Sequence, residues 1–290
     1  MPARLLFRFL SLLPLSWLHV LGGGVGRIVW WCSPGHRRRV LEFLGQALGT
    51  YDKRLLDAVI AESGRQMLEL PFVWLRPHRE VLSRVVRVEG LDLLERLREA
   101  NASILLLMPH LGCFEISGQY LCSRWPITAL FRPPRQAALL PFMQEGRARE
   151  NFSVAPADVS GLRRLVRALR TGQMVVILPD QVPKKGEGAW APFFGRPAWT
   201  MTLAARLSEM DGVSTVMMWA ERLPRGEGYI LRFSAPVTPI TGTLEQRCVA
   251  INRELERLIL ECPSQYMWGY DRYKRPSGVP AADEGKADPH

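Results

Sequence analysis

A histidine and a glutamate lie five positions apart in the stretch 103–115, directly after an apolar run. The run Ile104–Met108 predicts a short strand that is buried on both faces, and His110 follows where that strand ends. Gly112 permits a tight turn, and the pattern from position 113 onward predicts a helix. Open α/β sheets hold their ligands where strands end, so His110 is the first candidate for a reactive side chain.

The spacing of His110 and Glu115 limits how the two side chains can meet. On a regular helix it would turn them apart by about 140°, so His110 must precede the helix and Glu115 must lie in its first turns. Glu115 would then accept from one imidazole nitrogen and leave the other free to take a proton. The helix N–H groups could stabilise a developing oxyanion. A histidine that merely ends a strand beside a solvated glutamate is equally consistent with this spacing.

Composition narrows the class of protein. The 290 residues carry a formal net charge of +10, with 38 Lys and Arg against 28 Asp and Glu, which indicates an anionic partner. The five cysteines are scattered and form no C-x-x-C pair, so a disulfide framework or a zinc site is not expected and a reducing compartment fits. No second histidine has metal-ligand spacing with His110, and we expect no metal.

Helical patterns alternate with short apolar strands from about residue 85 onward, which predicts an α/β sheet domain. Residues 4–31 are apolar but interrupted by Arg8, Pro14, His19 and Arg27. They fit either an imperfect membrane-spanning helix or helices that lie in the membrane interface. A buried hairpin of helices is the third interpretation. The tail from residue 276 is rich in Pro, Gly, Asp and Ala and is expected to be disordered.

Further polar residues are predicted at the same sheet edge as His110. Arg132 follows one predicted strand, and Asp180 with Gln181 follows another. The pair Phe193–Phe194 and Gly195, after a flexible loop, could form one wall of a pocket, although core packing is the simpler explanation for two aromatic residues. The aromatic and basic stretch 262–276 suits a membrane-facing belt, and nucleic acid is discounted because no nucleic-acid-binding motif accompanies it.

A cysteine nucleophile is the alternative chemistry. Cys113 lies three residues after His110, so a Cys–His thioesterase or hydrolase is possible. Against it, Cys113 begins a helix beside Phe114, where a small buried cysteine is common. No G-x-S-x-G sequence is present.

Together these stretches resemble the late acyltransferases of lipid A biosynthesis, within the broader lysophospholipid acyltransferase group. The resemblance spans about residues 5–276 and depends on the order and spacing of several motifs. These are the apolar N-terminus, Pro109-His110-Leu-Gly-Cys-Phe-Glu115, Phe131-Arg132-Pro133, Leu178-Pro-Asp180-Gln181, Phe193-Phe194-Gly195 with Ala198 and Thr200, and Gln265-Tyr-Met-Trp268 through Lys274.

The resemblance implies a fold, a reaction and partners. It implies one glycerolipid-acyltransferase-like domain at 36–276, with a mixed, mostly parallel sheet, between a membrane-associated helical segment at 1–35 and a disordered tail at 277–290. The implied reaction transfers a fatty acyl chain from acyl carrier protein to a hydroxyl of a lipid A precursor at the cytoplasmic face of the bacterial inner membrane, without a cofactor. His110 would be the general base, and Glu115 would orient it. The implied substrate-binding residues are Arg132, Arg149, Asp180, Gln181, Phe194 and Gly195.

Two other classes stay open on the sequence. An acyltransferase that acts on a glycerophospholipid or an amino-acid lipid would use the same site. A non-catalytic membrane-binding protein would use the apolar and basic surfaces alone.

Overall fold

The computed structural model describes residues 2–133 and 137–282. The strands are β1 (Val85–Glu89), β2 (Ser103–Leu107), β3 (Ile127–Phe131), β4 (Phe152–Pro156), β5 (Met174–Ile177), β6 (Gly188–Phe193), β7 (Arg196–Met201), β8 (Val213–Arg222) and β9 (Tyr229–Ser234). The helices are α1 (Pro2–Ser11), α2 (Leu15–Cys32), α3 (Pro34–Leu48), α4 (Lys53–Leu68), α5 (Leu70–Leu75), α6 (His78–Leu82), α7 (Leu91–Glu99), α8 (Phe114–Cys122), α9 (Leu140–Arg147), α10 (Val159–Arg170), α11 (Thr202–Leu207) and α12 (Leu244–Glu261).

Seven strands form one mixed sheet in the order β1-β9-β8-β2-β5-β3-β4. Every neighbouring pair is parallel except β8 and β9, which are antiparallel. The predicted α/β class with a mixed, mostly parallel sheet is therefore confirmed. A connection between parallel strands must return along the sheet, and helices supply most of these returns.

Strand β2 lies at the centre and explains the apolar run that precedes His110. Ile104 and Leu106 face one core, and Leu105 and Leu107 face the other. All four side chains are fully buried, because helices cover both faces of the sheet.

The sequence patterns did not predict β4 or the hairpin of β6 and β7. Strand β4 is a short edge strand that ends in Pro156, and the antiparallel hairpin carries Pro192 and Pro197 opposite each other. Proline removes a backbone donor and is tolerated in such edge positions. The hairpin lies outside the main sheet, so the alternation of helices and sheet strands gives no signal for it.

Within the described residues, no helix combines the length and the apolar character needed to cross a membrane. The chain from 277 to 282, the described part of the predicted disordered tail, contacts the hairpin: Val279 is buried, and the Trp190 indole N–H donates to the Pro280 carbonyl. Residues 283–290 lie outside the described residues.

Helices α2 and α4 cross at glycines. A Cβ on Gly26 would lie 2.0 Å from the Ile60 carbonyl oxygen, and one on Gly64 would lie 2.0 Å from the Gly22 oxygen. The two backbones are therefore in direct contact, and this contact depends on the absence of side chains. It fixes the N-terminal helices against the rest of the domain.

A buried ion cluster also joins α2 and α4, at the end of β8. Arg222, at the end of β8, donates to Glu62 at 2.6 Å and to Glu69 at 2.7 Å, and the Glu69 carboxylate lies 3.7 Å from His19 of α2. Burial alone would raise the pKa of Glu69, but the charge and hydrogen bonds of Arg222 outweigh it and lower that pKa to about 2. The cluster thus connects α2 and α4 to the central sheet. Its buried charges are paired with one another.

We expect Gly26→Ala to lower the free energy of unfolding by about 1–3 kcal/mol, because the added methyl group must push the two helices apart. Gly24→Ala in the same helix is the matched control, since a Cβ there meets nothing within 4 Å. That variant should be up to about 1 kcal/mol more stable than the wild type, through helix propensity. Urea denaturation measures both. Equal effects of the two substitutions would contradict the close backbone contact.

Candidate active site

His110 and Asp180 meet because their strands are neighbours in register. Strands β2 and β5 are parallel, with Leu107 opposite Ile177, so the residues that follow them emerge at one edge of the sheet. The imidazole Nδ1 lies 2.7 Å from Asp180 Oδ1, and the backbone N–H of His110 donates to Asp180 Oδ2 at 2.9 Å. One carboxylate therefore holds both the ring and the backbone of the histidine.

The ionisation of Asp180 fixes the imidazole tautomer. Asp180 is only 2% exposed. Burial by itself would raise its pKa, but the charge and hydrogen bonds of His110 outweigh burial and hold the pKa below its ordinary value. An ionised carboxylate accepts from Nδ1–H, which leaves the Nε2 lone pair free.

Nε2 is the atom that can take a proton. The side-chain amide nitrogen of Gln181 lies 3.1 Å from it, so Gln181 occupies the position that a substrate hydroxyl would take. His110 and Gln181 both line a cavity of about 700 Å³. The arrangement is that of a general base with an oriented ring and an accessible nitrogen.

The predicted pairing of Glu115 with His110 is wrong. The Glu115 carboxylate instead accepts from the Trp74 indole N–H at 2.9 Å and pairs with Arg147 at 2.5 Å. Glu115 is the second residue of α8, and there its carboxylate is directed to α5 and α9. Asp180, predicted as a substrate-binding residue, is the carboxylate that orients the imidazole.

The turn that carries His110 is clamped by backbone contacts. Gly112 has a φ of +60°, and a Cβ there would lie 1.8 Å from the Ala220 carbonyl oxygen. The Gly112 N–H donates to Gln265, and the Met267 N–H donates to the His110 carbonyl. Segment 265–267, which follows α12, therefore holds the histidine turn against the end of β8.

The cavity has an apolar wall and a basic rim. Its lining includes the apolar side chains of Leu70, Trp74, Phe114, Leu130, Leu139, Met143 and Leu178. Four cationic side chains also line it: Arg132, Lys184 and Lys274 at the rim, and Arg147, which is paired with Glu115. A smaller recess of about 30 Å³ shares Phe114, Leu130 and Leu178 with it and extends toward Phe152. Such a cavity suits a substrate with both a hydrocarbon chain and anionic groups.

The other predicted binding residues divide into two groups. Arg132 and Gln181 line the cavity. Arg149 does not: it donates to the carbonyls of Trp74 and Arg76 and to the side chain of Gln119, so it holds the surrounding helices together.

Phe194 and Gly195 also lie outside the cavity lining. They form the turn between β6 and β7, with positive φ angles of 46° and 74°. The Phe194 backbone is held by Gln46 and Glu256, and its ring lies 6.0 Å from that of Trp268. The structure thus places both residues in a hairpin turn that does not line this cavity, and their substrate-binding role stays a prediction.

The cavity residues on α9 and α5 were not predicted. Leu139, Met143 and Arg147 recur every four residues and share one helix face toward the cavity. This four-residue spacing in the sequence includes Arg147 and not Arg149, so it could have predicted which of the two arginines lines the cavity. The contact of Trp74 with Glu115 had no such signal, because the two residues come together only through tertiary packing.

Cys113 is not suited to nucleophilic catalysis. It is 1% exposed, and burial followed by the nearby Glu69 carboxylate raises the pKa of its thiol well above the ordinary value. The thiolate is the reactive form, so this environment argues against the Cys–His alternative. Over residues 2–133 and 137–282, no group of three or more His, Cys, Asp or Glu side chains is arranged to hold a metal ion.

Comparison with known proteins agrees with the chemistry of the site. Residues 4–275 match the family model described as bacterial lipid A biosynthesis acyltransferase. The chain is 27% identical over 277 residues to the lipid A biosynthesis lauroyltransferase of Escherichia coli, covering 93% of this chain and 89% of that protein. It is 27% identical over 228 residues to the palmitoleoyltransferase of the same organism, covering 77% and 74%. A Haemophilus influenzae lipid A biosynthesis acyltransferase is 25% identical over 279 residues, covering 93% and 88%.

The family match covers nearly the whole chain and includes the His110 turn, the Asp180 strand end and the cavity between them. The resemblance stated from the motifs is thereby confirmed. The chain is an acyltransferase of lipid A synthesis and belongs to the bacterial lipid A biosynthesis acyltransferase family.

Proposed function

We propose that this enzyme transfers a fatty acyl chain from acyl carrier protein to a hydroxyl group of a lipid A precursor, with His110 as the general base. The observation that supports it most is the His110–Asp180 pair, whose free Nε2 faces a cavity with an apolar wall and a basic rim. An alcohol is a weak nucleophile until its proton is removed, and a carrier thioester is an activated acyl donor.

The proposed reaction needs one base and no covalent enzyme intermediate. The acceptor hydroxyl displaces the Gln181 amide from His110 Nε2 and gives its proton to that nitrogen as the oxygen attacks the thioester carbonyl. The tetrahedral intermediate collapses, the carbon–sulfur bond breaks, and the imidazolium returns the proton to the departing thiolate. Asp180 stays ionised and stabilises the imidazolium.

Oxyanion stabilisation is available from the start of α8. The backbone N–H groups of Phe114 and Glu115 donate to no acceptor among the described residues, and both residues line the cavity. A helix N-terminus presents such groups together with a partial positive charge. Arg132, on the rim, is the second candidate for this role.

Acceptor recognition falls to the basic rim. Arg132, Lys184 and Lys274 carry the cationic groups that would hold the phosphates of a lipid A precursor. Glu115 contributes indirectly, since it fixes the Arg147 guanidinium at the cavity wall and neutralises its charge.

We further propose that residues 1–35 attach the 36–276 acyltransferase domain to the cytoplasmic face of the bacterial inner membrane by lying in the interface. Large apolar side chains of α1 and α2 are exposed, including Leu5 (70%), Trp17 (63%), Val20 (74%), Ile28 (63%) and Trp31 (73%). Several exposed large apolar side chains on two successive helices indicate an interaction site. Arg4, Arg8 and Arg27 are exposed among them and suit anionic headgroups.

A purified-enzyme assay tests the reaction. Donors would be lauroyl and palmitoleoyl acyl carrier protein, the acyl groups in the names of two relatives, with a tetraacylated lipid A precursor as acceptor. We expect transfer by the wild type and a loss of about 10²–10⁴-fold in kcat for His110→Ala, because the general base is removed. Cys113→Ser should retain activity. Transfer to a glycerophospholipid but not to the lipid A precursor would contradict the proposed acceptor.

Substitutions of Asp180 and Glu115 should have different effects on kcat and KM. Asp180→Asn should lower kcat by about 10²–10⁴-fold, since the amide cannot fix the productive tautomer or stabilise the imidazolium. Glu115→Gln is the matched control, and it should change KM more than kcat because it frees Arg147 rather than His110. Steady-state kinetics measures both. A larger fall in kcat for Glu115→Gln than for Asp180→Asn would restore Glu115 as the orienting residue.

Membrane attachment can be measured by co-sedimentation with vesicles that contain anionic lipid. The double variant Val20→Glu/Ile28→Glu should bind vesicles less than the wild type, because it places charge on the exposed apolar surface of α2. Val237→Glu is the control, at a 75% exposed valine outside the N-terminal helices. Equal binding by the wild type and the double variant would exclude α2 as the attachment surface.

A further inference from the structure

We propose that the outer face of α10 is the docking site for the acidic protein that delivers the acyl group, an inference that rests on the proposed carrier-bound donor. The arginine face is defined by four exposed residues of this helix, Arg163, Arg164, Arg167 and Arg170. The proposed reaction uses none of them.

The packing of the buried side of α10 determines which of its side chains are exposed to solvent. Leu165, Ala168 and Leu169 pack into the core, and a Cβ on Gly161 would lie 1.7 Å from the Pro156 carbonyl oxygen. Helical periodicity then places Arg163, Arg167 and Arg170 together on the opposite side. The helix cannot rotate without burying these charges.

The arginine face carries positive charge without ion pairs, although the Asp158 carboxylate at the start of the helix interacts with Arg164 and its pKa is lowered, chiefly by hydrogen bonds from Ser160 and Gly161. Of the described carboxylates, none lies within ion-pair distance of these four guanidinium groups, and Arg164 donates only to the Val154 carbonyl at 3.5 Å. Some exposed arginines elsewhere, such as Arg196 with Glu42, have such partners and others, such as Arg79 and Arg253, do not, so what distinguishes this face is that its arginines lie together on one helix. Four neighbouring like charges cost stability within the chain, so a partner of opposite charge is the natural explanation.

Small apolar contacts accompany the charges. Val159 is 66% exposed, Leu162 is 39% exposed, and Val154 of the neighbouring edge strand is 37% exposed. A charged rim around modest apolar area is the composition of a transient protein interface.

The position of α10 connects this face to the active site. Ala157, two residues before the helix begins, lines the reaction cavity, and its N–H donates to the carbonyl of Phe131, the residue before Arg132. The arginine face therefore starts near the cavity and extends along the helix to within about 20 Å of Ala157, at 1.5 Å per residue, a span that a flexible arm carrying the thioester would have to bridge.

The fold argues for a protein partner rather than a bilayer at this face. Leu165 and Leu169 of α10 pack with Leu105 and Leu107 on one side of the sheet. The start of α2 lies on the other side, since Leu15 and Leu18 share a core with Ile104 and Leu106, while Trp30 near its end packs against the core of the α10 side. The arginine face and the start of α2 thus belong to opposite layers of the domain.

The test compares two donors that carry the same acyl group. One is acyl carrier protein, and the other is the acyl thioester of pantetheine, which has no protein. We expect the full-length variant Arg163→Glu/Arg167→Glu to lose at least about tenfold in kcat/KM with the carrier donor and to stay within about twofold of wild type with the pantetheine donor. Added salt should lower the wild-type kcat/KM for the carrier donor more than that of the variant.

The control variant is Arg79→Glu/Arg253→Glu, which makes the same charge change at two exposed arginines on α6 and α12. It should behave as the wild type with both donors. An equal loss in this control would assign the effect to net charge and overturn the local site. A loss with both donors in Arg163→Glu/Arg167→Glu, no loss with the carrier, or weaker vesicle binding by that variant would each overturn the docking proposal. Failure of the wild type to use any carrier donor would instead refute the proposed function.

Discussion

The hydrogen bond between Asp180 and His110 depends on one constraint, the parallel register of β2 and β5. Leu107 and Ile177 lie opposite each other, so the two chains leave the sheet at the same level. A shift of one residue would turn each strand's side chains to the other core and separate the carboxylate from the imidazole. Both strands are buried on both faces, so side-chain packing in the two cores, rather than an alternation of apolar and polar residues, must fix this register. The chemistry at the sheet edge is thus determined by packing several residues away.

Sequence patterns were sufficient for the sheet class and for the two residues at its edge. Both His110 and Asp180 follow apolar strands, and parallel strands bring such ends together. Spacing along the chain predicted the wrong partner for the histidine, because the contact joins residues 70 positions apart. Glu115 has its own partners on α5 and α9, and nothing in its local sequence indicates them.

Arg149, Phe194 and Gly195 were also predicted at the site from the sequence alone, and none of them lines the cavity. Arg147 is the last residue of α9 and lines the cavity, whereas Arg149 lies beyond the end of that helix and donates to backbone carbonyls of α5 and its neighbour, so the helix boundary separates their contacts. Phe194 and Gly195 were placed at a pocket because their hairpin was not predicted, and its turn packs against α3 and α12 instead. The order of the motifs was enough to identify the family. The direction of each side chain could be known only from the three-dimensional structure.

The close helix contact at Gly26 and Gly64 has a consequence for how the N-terminal helices can be treated. Their sequence resembles a separate membrane-associated segment. In the structure, however, α2 packs on α4 and contacts Glu69, which in turn pairs with Arg222 at the end of β8. Two residues earlier on that strand, the Ala220 carbonyl accepts from the Cys113 N–H and holds the histidine turn in place. Truncating the chain before α3 would uncover the ion cluster and loosen the strand end that holds the His110 turn. The N-terminal helices and the His110 turn are therefore parts of one packed unit, and removing the helices would change the geometry at His110.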